Sequence, residues 1–342
     1  MYKILSPFDK HVWFYSPYEV SWKELIPRTK VNTLSLLKKY IDSVCPWFSE
    51  IDDISSGDLV TTKLREKIEM AMGLILTHNE KLDTLESIFT LLHRKKKLFG
   101  EIGLPSTIPP CDIHRMQTDS NWCGDFYSAN LVLDALSQGG LRLQNDNSYL
   151  DVGCSSGSLL RVMKWYFPKG NWAGCDPVEK SINWASENLS GMEFDTCSQT
   201  PPLRYKNESV DGVIAISVWS HHSETASRKW FNEVYRILKP NGWFLFTTHG
   251  LRSVYHSVVS VDKGLERWTA VFEGMLQSDN VFEQVWDSED DAGNDASEWG
   301  NLYIKPEWIF EELLDRFEIN HFGRGSNQKN QDVYLFTKKN SV

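Results

Sequence analysis

Short apolar runs alternate with amphipathic stretches from residue 149 to residue 248. The pattern predicts strands at 149–152, 171–175, near 192–196, 210–218 and 243–248. Between them it predicts helices at 159–167, 178–189 and 227–238, and the turn Lys239-Pro240-Asn241-Gly242. Strand and helix alternating at this spacing predict an α/β fold, a parallel sheet covered by helices. Residues 251–300 break the rhythm, carry the acidic tract DSEDDAGND (287–295), and read as an insertion. The pattern resumes with a helix at 306–316 and strands at 317–322 and 332–338. Upstream the period is helical. Val31, Leu34, Leu37 and Ile41 share a face of 29–44. Leu64, Ile68, Met72 and Ile75 do so in 57–78, and Leu82, Leu85, Ile88 and Leu92 in 80–99. Residues 1–28, punctuated by Pro7, Pro17 and Pro27, read as an irregular aromatic arm. The Gly- and Pro-rich stretch 100–112 marks a boundary. A helical region, 1–112, then precedes an α/β domain, 113–342, with its insertion at 251–300.

Composition narrows the function. The 342 residues carry 36 Lys+Arg against 46 Asp+Glu, a net charge of −10. That balance disfavours a nucleic-acid partner, because phosphate contacts need clustered cations. No apolar run reaches the roughly 18 residues of a membrane span. The N-terminus lacks a basic and then apolar leader pattern. The six cysteines include no CxxC pair, so neither a disulfide scaffold nor a zinc site is expected, and a reducing cytoplasm fits.

The stretch YLDVGCSSGSLL (149–160) carries the chemistry. A buried strand runs into a turn at Gly153 and Gly157, where a ligand can approach backbone that has no Cβ. The following helix aims free N–H groups at the same space. Asp176 ends the next strand, where a carboxylate can accept both hydroxyls of a ribose. The glycine spacing differs from the G-x-G-x-x-G fingerprint of dinucleotide sites. Asp151 before the first glycine would attract a cation rather than a pyrophosphate.

These residues resemble motif I (D-x-G-x-G-x-G) and the acidic residue of motif II in class I S-adenosylmethionine (SAM)-dependent methyltransferases. Residues 201–217 and 230–244 are similar to that family's approach to strand four and to its "LKPGG" turn. Together they cover roughly residues 120–340. Ser155 replaces the middle glycine of motif I, and Asn241 a glycine of the turn. The resemblance implies a Rossmann-like class I sheet with an N-terminal helical domain, and S-adenosyl-L-methionine as cofactor. Asp151, Gly153 and Gly157, with Cys154 between the glycines, are then expected at the amino-acid end of SAM. Asp176 is expected on the ribose and Pro177 beside the adenine. Thr196 and Cys197 are expected at the adenine edge, and Ser217 by the methyl group.

Methyl transfer to a hydroxyl needs a base, and histidine suits neutral pH. His221 and His222 follow the predicted fourth strand and His249 ends the fifth, so all three are candidates, with His221 preferred. No metal pattern accompanies them. Tyr127 is a candidate cover for the cofactor. Trp219 and, in or near the insertion, Tyr255 and Trp299 are candidate acceptor contacts, since sugars stack on aromatic faces. Residues 327–332, ending Gln331-Asp332, resemble a segment of methyltransferases that accompany glycosyltransferases. The expected activity is O-methylation of a sugar or glycan hydroxyl. A natural-product acceptor and a non-catalytic SAM-binding scaffold are the alternatives. The N-terminal helices are expected to cover the active site or to form a homodimer.

Overall fold

The computed structural model describes residues 105, 107, 109–110, 113, 125–254, 265–285, 287–288, 294–327 and 330–340. The aromatic arm, the three predicted N-terminal helices, Tyr255 and the Tyr127 side chain lie outside the described residues. Nearly all that is described belongs to one compact unit, formed by 109–116 and 124–342.

The helix α1 (Phe126–Gln138) is capped by Asp125, whose carboxylate accepts from Ser128 N. The alternation then follows as β1 (Ser148–Val152), α2 (Ser158–Tyr166), β2 (Asn171–Asp176), α3 (Glu179–Asn188), β3 (Glu193–Thr196) and β4 (Val210–Ala215). Next come α4 (Glu224–Ile237) and β5 (Leu238–His249). Each agrees with the predicted pattern to within a few residues except β5, which starts at Leu238 and takes in the predicted turn 239–242 as an irregularity where the β4–β5 register shifts. Two ends differ for local reasons. The strand predicted to 218 stops at Ala215, because Ser217 takes φ +59°, outside the strand region. The helix predicted from 227 starts at Glu224, because Ser223 caps it by accepting from Ala226 N at 3.0 Å.

The insertion and the residues just after it have structure that the sequence pattern missed: α5 (Leu265–Gln277) and β6 (Asn280–Glu283) within it, and β7 (Asn301–Ile304) directly following. The domain closes with α6 (Pro306–Leu313), β8 (Phe317–Asn327) and β9 (Gln331–Lys338).

Strands β3-β2-β1-β4-β5 run parallel in that order. Beyond β5 lies antiparallel β9, which pairs in turn with β8. Past the last β4–β5 pair, Ala215 with Phe246, strand β7 joins β5 at a single pair, His249 with Tyr303, and carries β6. So β7 continues along the side of β5 that β4 has left. Backbone bonds from Gly300 N to His221 O and from Leu302 N to Ser220 O, each 2.8 Å, tie it to the loop after β4.

Side-chain alternation along the strands builds two cores. On one face Val213, Phe244, Phe246 and Phe336 meet Trp230, Phe231 and Val234 of α4 and Ile309 of α6. On the other Tyr149, Ile214, Leu245 and Leu335 meet Val132 and Leu136 of α1 and Leu160 and Met163 of α2. The carboxyl ends of β1, β2, β4 and β5 stay together at one edge, where ligands bind in such sheets. No helix among the described residues is long and apolar enough to cross a membrane.

Candidate active site

The turn after β1 is built by conformation first. Gly153 has φ +78° and Gly157 φ +76°, both left-handed. A Cβ on Gly153 would lie 2.5 Å from Val218 Cγ2, and one on Gly157 2.8 Å from Leu189 Cδ1 and 2.9 Å from Phe194 Cε1. Internal packing therefore demands both glycines, beyond any approach by a ligand. Ser155 adopts φ +48°, a conformation that costs an L-residue about 1–2 kcal/mol. Its N–H donates to Asp176 Oδ2 at 2.9 Å, and Val178 N donates to Oδ1 at 2.9 Å. The substitution of serine for glycine thus leaves the turn closed against the end of β2. Cys154 departs from its expected role: its side chain is buried in the α2-side core, close under Gly174, so only its backbone borders the turn.

Three carboxylates converge here. Asp151 is 3% exposed, and burial, then Asp176, then Asp125 push its pKa well above the usual range. Asp125 is brought in by the start of α1, whose cap N–H donates to Ser158 O at 3.0 Å. An Asp just before a helix is the one sign of it in the sequence. Among the described residues, the charges acting on Asp151 are those of Asp176 and Asp125, both acidic. A buried acidic group of this kind fits a ligand carrying a sulfonium and an ammonium, and it repels a pyrophosphate. Thr196 sits opposite Asp176 in register, exposed, and Cys197 N donates to Asp176 O at 3.1 Å. Pro177 is exposed beside them. Asp176, Pro177, Thr196 and Cys197 therefore gather at the ends of β2 and β3. Cys197 turns toward the core, where its thiol raises the pKa of the Cys175 thiol.

The loop after β4 separates the three histidines. His222 is 3% exposed, stacked on Trp230 with centroids 5.7 Å apart, and burial then His221 depress its pKa to about 3. Its ring faces the core and not the ligand edge. His249 stacks on Tyr303 at 5.3 Å, and burial then His221 lower its pKa to about 3 also. A group so weakly basic stays neutral near pH 7 and is a poor proton acceptor. His221 is half-buried, and its Nδ1 lies 2.8 Å from Gly300 O. A carbonyl can only accept, so Nδ1 carries the proton and the lone pair is on Nε2. Its ring lies against His249, with centroids 5.9 Å apart, and against Trp299 at 5.1 Å.

Ser217 is positioned by its neighbours: its N–H donates to Thr247 Oγ1 at 2.8 Å and its hydroxyl to Gln331 Oε1 at 2.9 Å. Trp219 departs from the expected acceptor contact. It is 0% exposed, with Phe231 stacked at 5.4 Å and Phe244 and Phe246 at its edges, so no face is open. The aromatics Trp268 in the insertion and Tyr303 just after it form a small core with Val254, Val271 and Met275. Trp299 keeps partial exposure beside His221. A cavity of about 420 Å³ opens at the opposite, amino end of β1 and β2, by Leu150, Trp172 and Tyr205, and no expected site residue lines it.

The doubly wound sheet and its acidic, glycine-turned crevice are consistent with a nucleotide-type ligand at the carboxyl edge. A methyltransferase-domain family matches residues 150–246, so the chain carries a SAM-dependent methyltransferase domain, with S-adenosyl-L-methionine as its cofactor. The chain is similar to a sterol 24-C-methyltransferase from Neurospora crassa, 25% identical over 46% of this chain and 45% of that protein. It is also similar to a fatty-acid O-methyltransferase from Mycolicibacterium smegmatis, 29% identical over 29% of this chain and 35% of that one. The chain thus spans less than half the length of these relatives. Among solved structures, a SAM-dependent methyltransferase from Methanosarcina mazei matches 58% of this chain and 95% of its own, at 17% identity and TM-score 0.43.

Proposed function

We propose that the chain transfers a methyl group to a hydroxyl of a small-molecule acceptor, with His221 as general base; a sugar or glycan hydroxyl is the first acceptor class to test. One observation carries the choice of base. His222 is buried and the Nε2 of His249 lies 3.3 Å from the Gln331 amide nitrogen, whereas His221 is half-buried with a tautomer, set by Gly300 O, that puts its lone pair on Nε2. When bound, SAM supplies a methyl carbon on a sulfonium, an electrophile needing no further activation. The chain's own work is to hold the acceptor oxygen in line and to take its proton at His221 Nε2 as the oxygen–carbon bond forms and the carbon–sulfur bond breaks, its electron pair staying on sulfur. Trp299, against the His221 ring, offers an aromatic face for the acceptor.

The test uses methyl-labelled SAM, purified protein and fractionated extract of the source cell. Label in the polysaccharide or lipid-linked sugar fraction supports a glycan acceptor. Label in a small organic-soluble fraction moves the acceptor to natural products or lipids, the second class having precedent in the fatty-acid enzyme's name. His221→Ala is expected to lower kcat by about a hundredfold or more, with SAM affinity unchanged. Undiminished turnover in that variant removes His221 from the role. Bound SAM without label in any fraction would favour a scaffold.

A further inference from the structure

The side chain of Gln331, 6% exposed, is the hub of the carboxyl edge. Its Oε1 accepts from Ser217 Oγ at 2.9 Å, Thr247 Oγ1 at 2.7 Å and Asn327 Nδ2 at 2.9 Å. Its Nε2 reaches Ser220 Oγ at 3.4 Å and His249 Nε2 at 3.3 Å. The β5–β9 register pairs Gln331 with His249, so both side chains stand on the same face. One carboxamide thus ties the turn after β4, the end of β5 and the start of β9 to a single histidine ring.

An amide nitrogen only donates, so His249 Nε2 must accept and its proton must sit on Nδ1. That Nδ1 is buried and has no hydrogen-bond partner among the described residues. An unsatisfied buried donor is destabilising, a cost that a ligand atom can remove. The ring beside it is His221, 5.9 Å away centroid to centroid, whose lone pair is on Nε2. One oxygen making two hydrogen bonds of about 2.8 Å can bridge rings at that separation.

We propose that Gln331 is a positioning residue, which fixes His249 in the Nδ1–H tautomer and makes that N–H the donor that orients the acceptor oxygen. The oxygen accepts from His249 Nδ1–H and gives its own proton to His221 Nε2, and its electron pair forms the bond to the methyl carbon as the carbon–sulfur bond breaks and its pair stays on sulfur as a neutral thioether. No net proton is gained or lost at His249. The donor half of this inference rests on the methyl-transfer reading, whereas the tautomer half stands without it. The titratable groups packed on the His249 ring are His221 and Tyr303.

The experiment is nitrogen-15 NMR of histidine-labelled full-length protein, with His249 assigned by the signal missing in His249→Asn. In the wild type, His249 is expected to show a protonated Nδ1 and a bare Nε2, unchanged from pH 8 to pH 5. Gln331→Leu should release that tautomer. Gln331→Glu, closest in shape, should invert it, because a carboxylate accepts from Nε2–H, and should make the ring titrate upward of pH 5. An Nε2–H ring in the wild type, or an unchanged tautomer in both variants, overturns the proposal. Because Gln331→Leu could fail to fold, the wild-type spectrum alone remains decisive for the tautomer. With an acceptor in hand, Gln331→Glu should lower kcat about tenfold while SAM affinity holds within twofold. An inverted tautomer with unchanged kcat would overturn the donor role alone, and absence of any turnover in the wild type would strike the methyl-transfer reading and leave the tautomer result intact.

Discussion

Asp151 shows what one residue can report about a ligand. Burial, Asp176 and Asp125 all act on it in the same direction, so without ligand it keeps its proton well above the usual carboxylate range. A cationic ligand reverses the balance, because it stabilises the ionised form. SAM binding should therefore expel a proton where Asp151 is protonated in the free protein and ionised in the complex. Affinity then rises with pH through the raised pKa and levels off above it. Titration calorimetry in two buffers of different ionisation heat reads the proton directly. Asp151→Asn should abolish the release and weaken SAM by about tenfold to a hundredfold, the loss of one partly desolvated charge interaction. A wild type that releases no proton and shows no pH dependence would mean that the cation lies elsewhere in the crevice.

At the scale of elements, Gly157 separates two accounts of the glycine turn. It caps α2 at φ +76°, and a methyl there would press on Leu189 after α3 and on Phe194 in β3. Gly157→Ala should thus destabilise the ligand-free domain, by about 2–4 kcal/mol from left-handed strain plus overpacking. In a domain of this size that lowers Tm by roughly 5–15 °C. Were the glycine needed only for close approach of the cofactor, Tm would hold and SAM affinity alone would fall. The strand–glycine turn–helix unit was legible in the sequence because period and turn chemistry are local. So was the acidic end of β2. Strands β6 and β7 were not, since each spans four residues and β7 reaches β5 through one pair. Trp219 looked like a ligand contact from its place after β4, but packing by Phe231 and Phe244 from distant elements buries it. The Gln331 hub was equally hidden, because Ser217 lies 114 residues away in sequence and only the β5–β9 register brings the groups together.

The whole molecule responds to acid through histidines that do no proton transfer. His222 and His249 have pKa values near 3 in the fold and near 6.5 when unfolded. Between those limits the unfolded chain binds more protons, so stability is intact above pH 6.5 and falls as pH drops toward 3. Each site contributes up to about 1.4 kcal/mol per pH unit in that window. Asp332 acts in the opposite sense: burial raises its carboxyl to about 6, so its contribution is present below pH 4 and lost as pH rises through 6. Between pH 4 and 6 the two histidines outweigh this one carboxylate, so the three groups together still favour the native state as pH rises to about 6.5. His222 is the cleaner probe, because its ring is stacked on Trp230 and edge-on to Trp219 and Trp299, and it takes no part in the proposed proton transfer. His222→Phe keeps an aromatic ring in that slot and removes the titration. Its unfolding free energy, measured by denaturant from pH 7 to pH 4.5, should fall less steeply than the wild type's, by close to one proton. Parallel curves would show that His222 is already accessible to protons in the native state, and the burial that withdraws it from catalysis would go with that result.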